Sequence, residues 1–198
     1  MQRLTIILEI ILIFILPILW FLLGLGLWEH RLVVLEIFVG LLIFLAISHK
    51  MNFHEMGFRT DNFFQSARLL LPGVFLAIII ILLLYKFQIG TRYFFNNWWE
   101  NYFFAYYLLL AAISQEFGYR GYLLTKLKSL FKNPLPIILI NASLFALLHV
   151  LHLSLFISIE AFFFGAFLTW VYLKKPNIIA SSLSHALVGG LVIILGFM

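Results

Sequence analysis

Ala112-Ile-Ser-Gln-Glu-Phe-Gly-Tyr-Arg-Gly121 places Gln115, Glu116 and Arg120 inside an apolar segment of helix length. A charged side chain at the centre of a membrane span costs about 2.5 kcal/mol or more, so an acid and a base four residues apart mark a functional site by default. Outward from this stretch the chain is apolar in both directions. Of its 198 residues, 64% are hydrophobic and 11% charged, and the mean hydropathy is +1.09. Soluble single domains of this size do not show that profile. Apolar runs near or above about eighteen residues recur along the length, so the expected fold class is all-α, a polytopic transmembrane helix bundle of about seven spans. The runs are continuous rather than alternating, which argues against a β-barrel.

The formal charge of +5 comes from short Lys and Arg clusters between the apolar runs. That is the pattern of topology signals, so the expected partner is the lipid bilayer and not nucleic acid. There is no cysteine, which removes disulfides, thiolate metal sites and a thiol nucleophile. Residues 1–48 read as two N-terminal transmembrane helices, 49–68 as an interfacial loop, and 69–198 as a five-helix core, all within one membrane domain. The opening run to Trp28 is too long for a signal peptide and reads as a retained span. Within it, Pro17 and the pair Gly24 and Gly26 are expected to bend the helix or pack it closely rather than stop it. The third span is expected over 69–87, with Pro72 in its first turn. An aromatic belt at Tyr93, Trp98, Trp99 and Tyr102 opens the fourth, which runs to about Lys126. The last three are expected over 136–153, 154–173 and 177–198.

Nine basic residues (Arg3, Lys50, Arg59, Arg68, Lys126, Lys128, Lys132, Lys174 and Lys175) fall on one side of such a bundle, and three (Arg31, Lys86 and Arg92) on the other. The N-terminus is therefore expected in the cytoplasm and the C-terminus outside. Glu116 and Arg120 share one helix face and can pair, and a buried ion pair needs no catalysis to explain it. His149 and His185, each alone, read as hydrogen-bonded core histidines. His152 and Glu160 are expected near outer helix ends, solvated by the interface. By helix rise, however, Glu116 lies about 15 Å, His185 about 12 Å and His149 about 20 Å from the inner ends of their helices. All three can then meet in one pocket, where a carboxylate and imidazoles can activate water and stabilise an oxyanion.

Gln115-Glu-Phe-Gly-Tyr-Arg120, Phe145-Ala-Leu-Leu-His149 and Ser184-His185-Ala-Leu-Val-Gly189, in this order on successive late helices, resemble the three motifs of the CAAX-protease and bacteriocin-processing (CPBP) family of intramembrane endopeptidases. The patterns of that family are Glu-Glu-x-x-x-Arg, Phe-x-x-x-His and His-x-x-x-Asn. Gly165 with Tyr172-Leu-Lys-Lys175, and Met56-Gly-Phe-Arg59, resemble further stretches of it. The resemblance implies an endopeptidase that cuts a protein or peptide near a membrane-associated or lipidated terminus, in a bacterial inner membrane. It assigns water activation to the first-motif Glu with His149, and the oxyanion to His185. Gln115 stands where the family has its first Glu, and Gly189 where it has Asn. An amide orients water but cannot deprotonate it, so Glu116 becomes the expected base, with Arg120 and Phe145 in supporting places.

Two other functions remain: a catalytically inactive relative that binds a membrane peptide or confers immunity, and a small proton-coupled transporter using Glu116 and the histidines. His54-Glu-Met-Gly-Phe58 lacks the second histidine of a zincin pair. Glu116, His149 and His185 could ligate zinc, but their spacing does not demand it, so no cofactor is expected.

Overall fold

The computed structural model describes residues 2–26, 30–89, 106, 110–152 and 154–197. Among them there is no strand, and the helices form seven rods. α1 comprises Gln2–Ile10, a π-helical stretch Ile11–Ile15 and Leu16–Leu22. α2 is Arg31–Ser48 and α3 is Phe63–Lys86. α4 comprises Ala112–Glu116, the π-helical Phe117–Leu123 and Leu124–Leu130. α5 is Pro134–His149, extended by a 3-10 turn Val150–His152. α6 is Leu155–Lys174 and α7 is Ile178–Ile194. The expected all-α membrane bundle is what the chain forms, and four of its helices are long and apolar enough to cross a bilayer by length and composition. The aromatic belt expected at Tyr93, Trp98, Trp99 and Tyr102 lies outside the described residues.

Three helix starts carry side-chain caps. Asn133, Ser154 and Asn177 each accept a hydrogen bond from a backbone N–H of the first turn of α5, α6 and α7, satisfying donors that would otherwise be orphaned at a helix end. Phe44, Phe75, Phe163 and Leu187 are each more than half exposed. An apolar surface of this kind is a liability in water and the surface required by lipid.

Two local expectations are corrected. α1 ends at Leu22, and Gly24 beyond it has φ +70° with open space where a Cβ would stand. It is a stop, because a left-handed residue after the last turn closes a helix. The irregularity in α1 is instead the π-helical stretch just ahead of Pro17, which absorbs the hydrogen bond that proline cannot make. Likewise α3 begins at Phe63, leaving Pro72 inside the helix. The early start follows from the fastening of the preceding loop: Asn62 donates to the Pro176 carbonyl at 3.0 Å and accepts from Asn177 at 2.8 Å. The helix that starts there buries Ser66 and Leu70.

The rest of loop 49–62 docks on the same α6–α7 turn. Ile178 N–H donates to the Gly57 carbonyl at 2.9 Å, Asn177 to the Arg59 carbonyl at 2.8 Å, and the Tyr172 hydroxyl to the Met56 carbonyl. Gly57 has φ +93°, and a Cβ there would strike the Tyr172 hydroxyl, so only glycine fits. On the exposed side of the loop, the hydrogen bond from Arg59 holds the Asp61 carboxyl down to about 2. α5 and α6 pack along their lengths as a hairpin, and α7 lies against α3 and α4. α4 thus sits centrally, and its π-helical stretch is buried throughout.

Candidate active site

A π-helical stretch shifts the faces that a helix presents, and such stretches recur at functional sites. Here its carbonyls are served from outside: Asn141 Nδ2 donates to the Tyr119 carbonyl at 2.6 Å, and Thr169 Oγ1 donates to Asn141 Oδ1 at 3.0 Å. All three members are buried. This polar chain locks α4, α5 and α6 together beside the charged pair.

Glu116 and Arg120 are both 0% exposed. Glu116 Oε1 lies 3.0 Å from Arg120 Nη1 and 3.0 Å from His185 Nδ1. The first contact is an ion pair out of hydrogen-bond alignment; in the second, the carboxylate can only accept, so His185 Nδ1 carries a proton. Arg120 Nη2 also donates to the Gly165 carbonyl at 3.1 Å, and its guanidinium lies 4.3 Å from the Phe145 ring centroid. Phe145 is the hub. Its ring is 4.7 Å from the His149 ring, 5.3 Å from that of His185 and 5.2 Å from that of Tyr119. All three motif stretches therefore meet, through Phe145 and Glu116.

His149 is half-buried, and its Nδ1 is 2.8 Å from the Phe145 carbonyl one turn back. A carbonyl only accepts, so in the neutral ring Nδ1 bears the hydrogen and Nε2 the lone pair. His149 lines a cavity of about 170 Å³ between α1, α2, α4 and the end of α5. Its walls are apolar except for Ser114, Gln115, Tyr119, His149 and His152. Among the described residues, Gln115 Oε1 has no hydrogen-bond partner. Among them, too, no group of three or more His, Asp or Glu has the geometry to hold a metal ion.

The structure places the expected site residues in two groups, some on the cavity wall and some behind it. Glu116, expected as the water-facing base, stands behind the cavity wall, because the pull of Arg120 and His185 turns its carboxylate into the protein. Gln115, about 100° round the helix, takes the cavity side instead. His185 is likewise buried and off the wall. Gly189 is half-buried one turn beyond it. His152, expected at the interface, lines the cavity, its ring 6.0 Å from that of His149. The His149-x-x-His152 spacing, which puts both on one face, was the available signal. Glu160 is half-buried, and its Oε1, enclosed by protein, has no hydrogen-bond partner among the described residues.

Residues 97–191 match the family model of type II CAAX prenyl endopeptidases, Rce1-like. This Rce1-like segment contains Gln115, Glu116, Arg120, Phe145, His149, His185 and Gly189, the residues of the three motifs that carry the CPBP resemblance, while Met56–Arg59 lies ahead of it, and the match agrees with that resemblance. Neither a curated protein nor a solved structure matches the chain. The matched segment covers the helices that hold the charged hub, while α1 and α2, ahead of it, complete the cavity.

Gly165 leaves no room for a side chain. A Cβ there would lie 2.8 Å from Phe145 Cδ1 and 3.4 Å from Arg120 Nη2. Gly165→Ala is expected to cost about 1–3 kcal/mol by overpacking, read as a lowered unfolding temperature in detergent, and to displace the Phe145 ring from His149. An unchanged unfolding temperature would show that α6 can move away freely.

Proposed function

We propose that the chain is an intramembrane endopeptidase cutting a protein or peptide near a membrane-associated or lipidated terminus, with His149 as its base. The observation that carries this reading is the orientation of His149: on the wall of an apolar cavity, with Nδ1 engaged by the Phe145 carbonyl, so that the basic Nε2 remains for a reactant. Water accepted between His149 Nε2 and Gln115 Oε1 gives one proton to the imidazole as its oxygen attacks the scissile carbonyl. The imidazolium then returns that proton to the departing amine. Gln115 Nε2 and His152 are the donors that the wall offers to the oxyanion. Glu116 acts as a positioning residue, holding Arg120 and His185 around Phe145 and so fixing the ring against which His149 rests.

One observation favours a second reading, a silent relative that only binds a membrane peptide: the cavity-facing residue is an amide, Gln115, where the resembling family has a carboxylate. Gln115→Glu separates the two. If His149 already works as base, the substitution raises an existing peptidase rate about tenfold or more, because a carboxylate beside His149 adds a second proton acceptor. In the silent case, no rate exists before the change. The transporter reading loses its support, since Glu116 is held in an ion pair away from the cavity.

The orientation in the membrane belongs to the same proposal. Lys126 bonds Glu9 at 3.0 Å and His49 at 2.8 Å, and loop 49–62 packs on the turn that follows Lys174 and Lys175. The basic residues therefore gather at one end of the bundle, which is cytoplasmic by the positive-inside rule. A reporter fused after Met198 is expected to be active only outside the cell; activity in the cytoplasm would reverse the orientation.

A further inference from the structure

Glu36 is a membrane carboxylate with no part in the mechanism above. Its neighbours in sequence, Val34, Leu35, Phe38 and Val39, all line the cavity. Its Oε1 accepts two hydroxyls from the α4 side, Tyr106 at 2.5 Å and Ser114 at 3.5 Å. Ser114 itself is on the cavity wall beside Gln115 and is 7% exposed. A serine hydroxyl has one proton and two lone pairs. With the proton turned back to Glu36, Ser114 shows the cavity only lone pairs.

We infer that Glu36 and Ser114 form a backbone-reading subsite: Ser114 Oγ accepts a hydrogen bond from a peptide N–H of the substrate, and Glu36 is the positioning residue that keeps the serine proton out of the way. The inference rests on the endopeptidase reading in taking a peptide as the occupant. A peptide in an apolar cavity must satisfy its N–H groups or pay a penalty of several kcal/mol for each one left unmet. Most of this wall is aliphatic or aromatic. Ser114 supplies an acceptor one residue away from Gln115, so the same stretch of α4 would hold the chain and orient the water. The donor cannot be an ionised carboxylate or phosphate of a lipid headgroup, since those oxygens have no proton to give to Ser114 Oγ.

The test compares a fluorescent farnesylated CAAX-type peptide with analogues in which one backbone N–H at a time is replaced by an ester oxygen. Binding to the full-length protein in micelles is read by anisotropy at low temperature, before turnover. For the unaltered protein, one ester position is expected to weaken Kd about three- to tenfold, the worth of one net hydrogen bond. Ser114→Ala should bind the parent peptide more weakly by the same factor and lose all discrimination at that position. Glu36→Gln, whose amide can donate to Ser114 and turn the serine proton toward the cavity, should behave like Ser114→Ala, and Glu36→Asp should restore discrimination. The thermal stability of each variant is measured alongside; a purely structural role would lower it without changing the ester ratios. Equal ester ratios in the unaltered protein and Ser114→Ala would overturn the subsite while leaving the endopeptidase reading intact. Failure of the unaltered protein to bind the parent peptide at all would overturn both.

Discussion

Arg120→Leu is expected to cost about 3–5 kcal/mol of stability. Glu116 is 0% exposed, and Arg120 is its cationic partner at 3.0 Å. Removing the guanidinium leaves a carboxylate sealed in protein with no cationic partner fixed beside it, His185 Nδ1 and Ser181 remaining as its neighbours among the described residues. The loss spreads to the Gly165 carbonyl and the Phe145 face, which Arg120 also serves. The informative contrast is the double substitution Glu116→Met with Arg120→Met. Replacing both members of a buried pair with apolar residues of similar size is often neutral or stabilising, so the double variant should recover most of the unfolding temperature in detergent. It should not recover activity, because His185 has lost its carboxylate and Phe145 its guanidinium. A single Arg120→Leu variant as stable as the parent would mean that Glu116 has another partner, and the hub described here would be wrong.

His149→Gln is expected to fold and to lose about 10²–10⁴-fold in kcat, the usual contribution of a general base. Glutamine has nearly the reach of histidine, and its amide can still donate to the Phe145 carbonyl that now anchors Nδ1 at 2.8 Å. What it lacks is a nitrogen able to take a proton. The change should therefore appear in kcat with little change in KM, since the rest of the apolar wall still binds the substrate. Glu116→Gln should differ in kind. It weakens the hold on both Arg120 and His185 and should lower stability and activity together. If His149→Gln kept its rate while Glu116→Gln lost it without any loss of stability, the roles would be reversed.

The membrane fold was readable because a bilayer imposes length and polarity on every span. The rods α5, α6 and α7 fall within a few residues of their expected limits, since the apolar runs are bounded by short polar and proline-containing turns, and the structure adds the caps Asn133, Ser154 and Asn177 at their starts. The pairing of Glu116 with Arg120 was readable for the same reason: an isolated charge there is too costly. Which neighbour faces the cavity was not. Gln115 and Glu116 differ by one residue, and the choice depends on where Arg120 and His185 lie in three dimensions. The cavity itself was hidden in composition. Phe14, Pro17 and Phe38, which face it, are indistinguishable in kind from residues that face lipid. Gly24 and Pro72 were misjudged because each has two uses, a stop or a close contact for glycine and a first turn or a tolerated interior position for proline. The fastening of loop 49–62 to the α6–α7 turn, which moves the start of α3, depends on contacts more than a hundred residues apart in sequence.

The most direct test is to incubate the purified protein in detergent micelles with a farnesylated CAAX-type peptide and to identify products by mass spectrometry. The expected result is a single internal cut made by the unaltered chain and lost in His149→Gln. The opposite result, no cut by the unaltered chain but a cut once Gln115→Glu and Gly189→Asn are both introduced, would show that this cavity binds peptides without hydrolysing them.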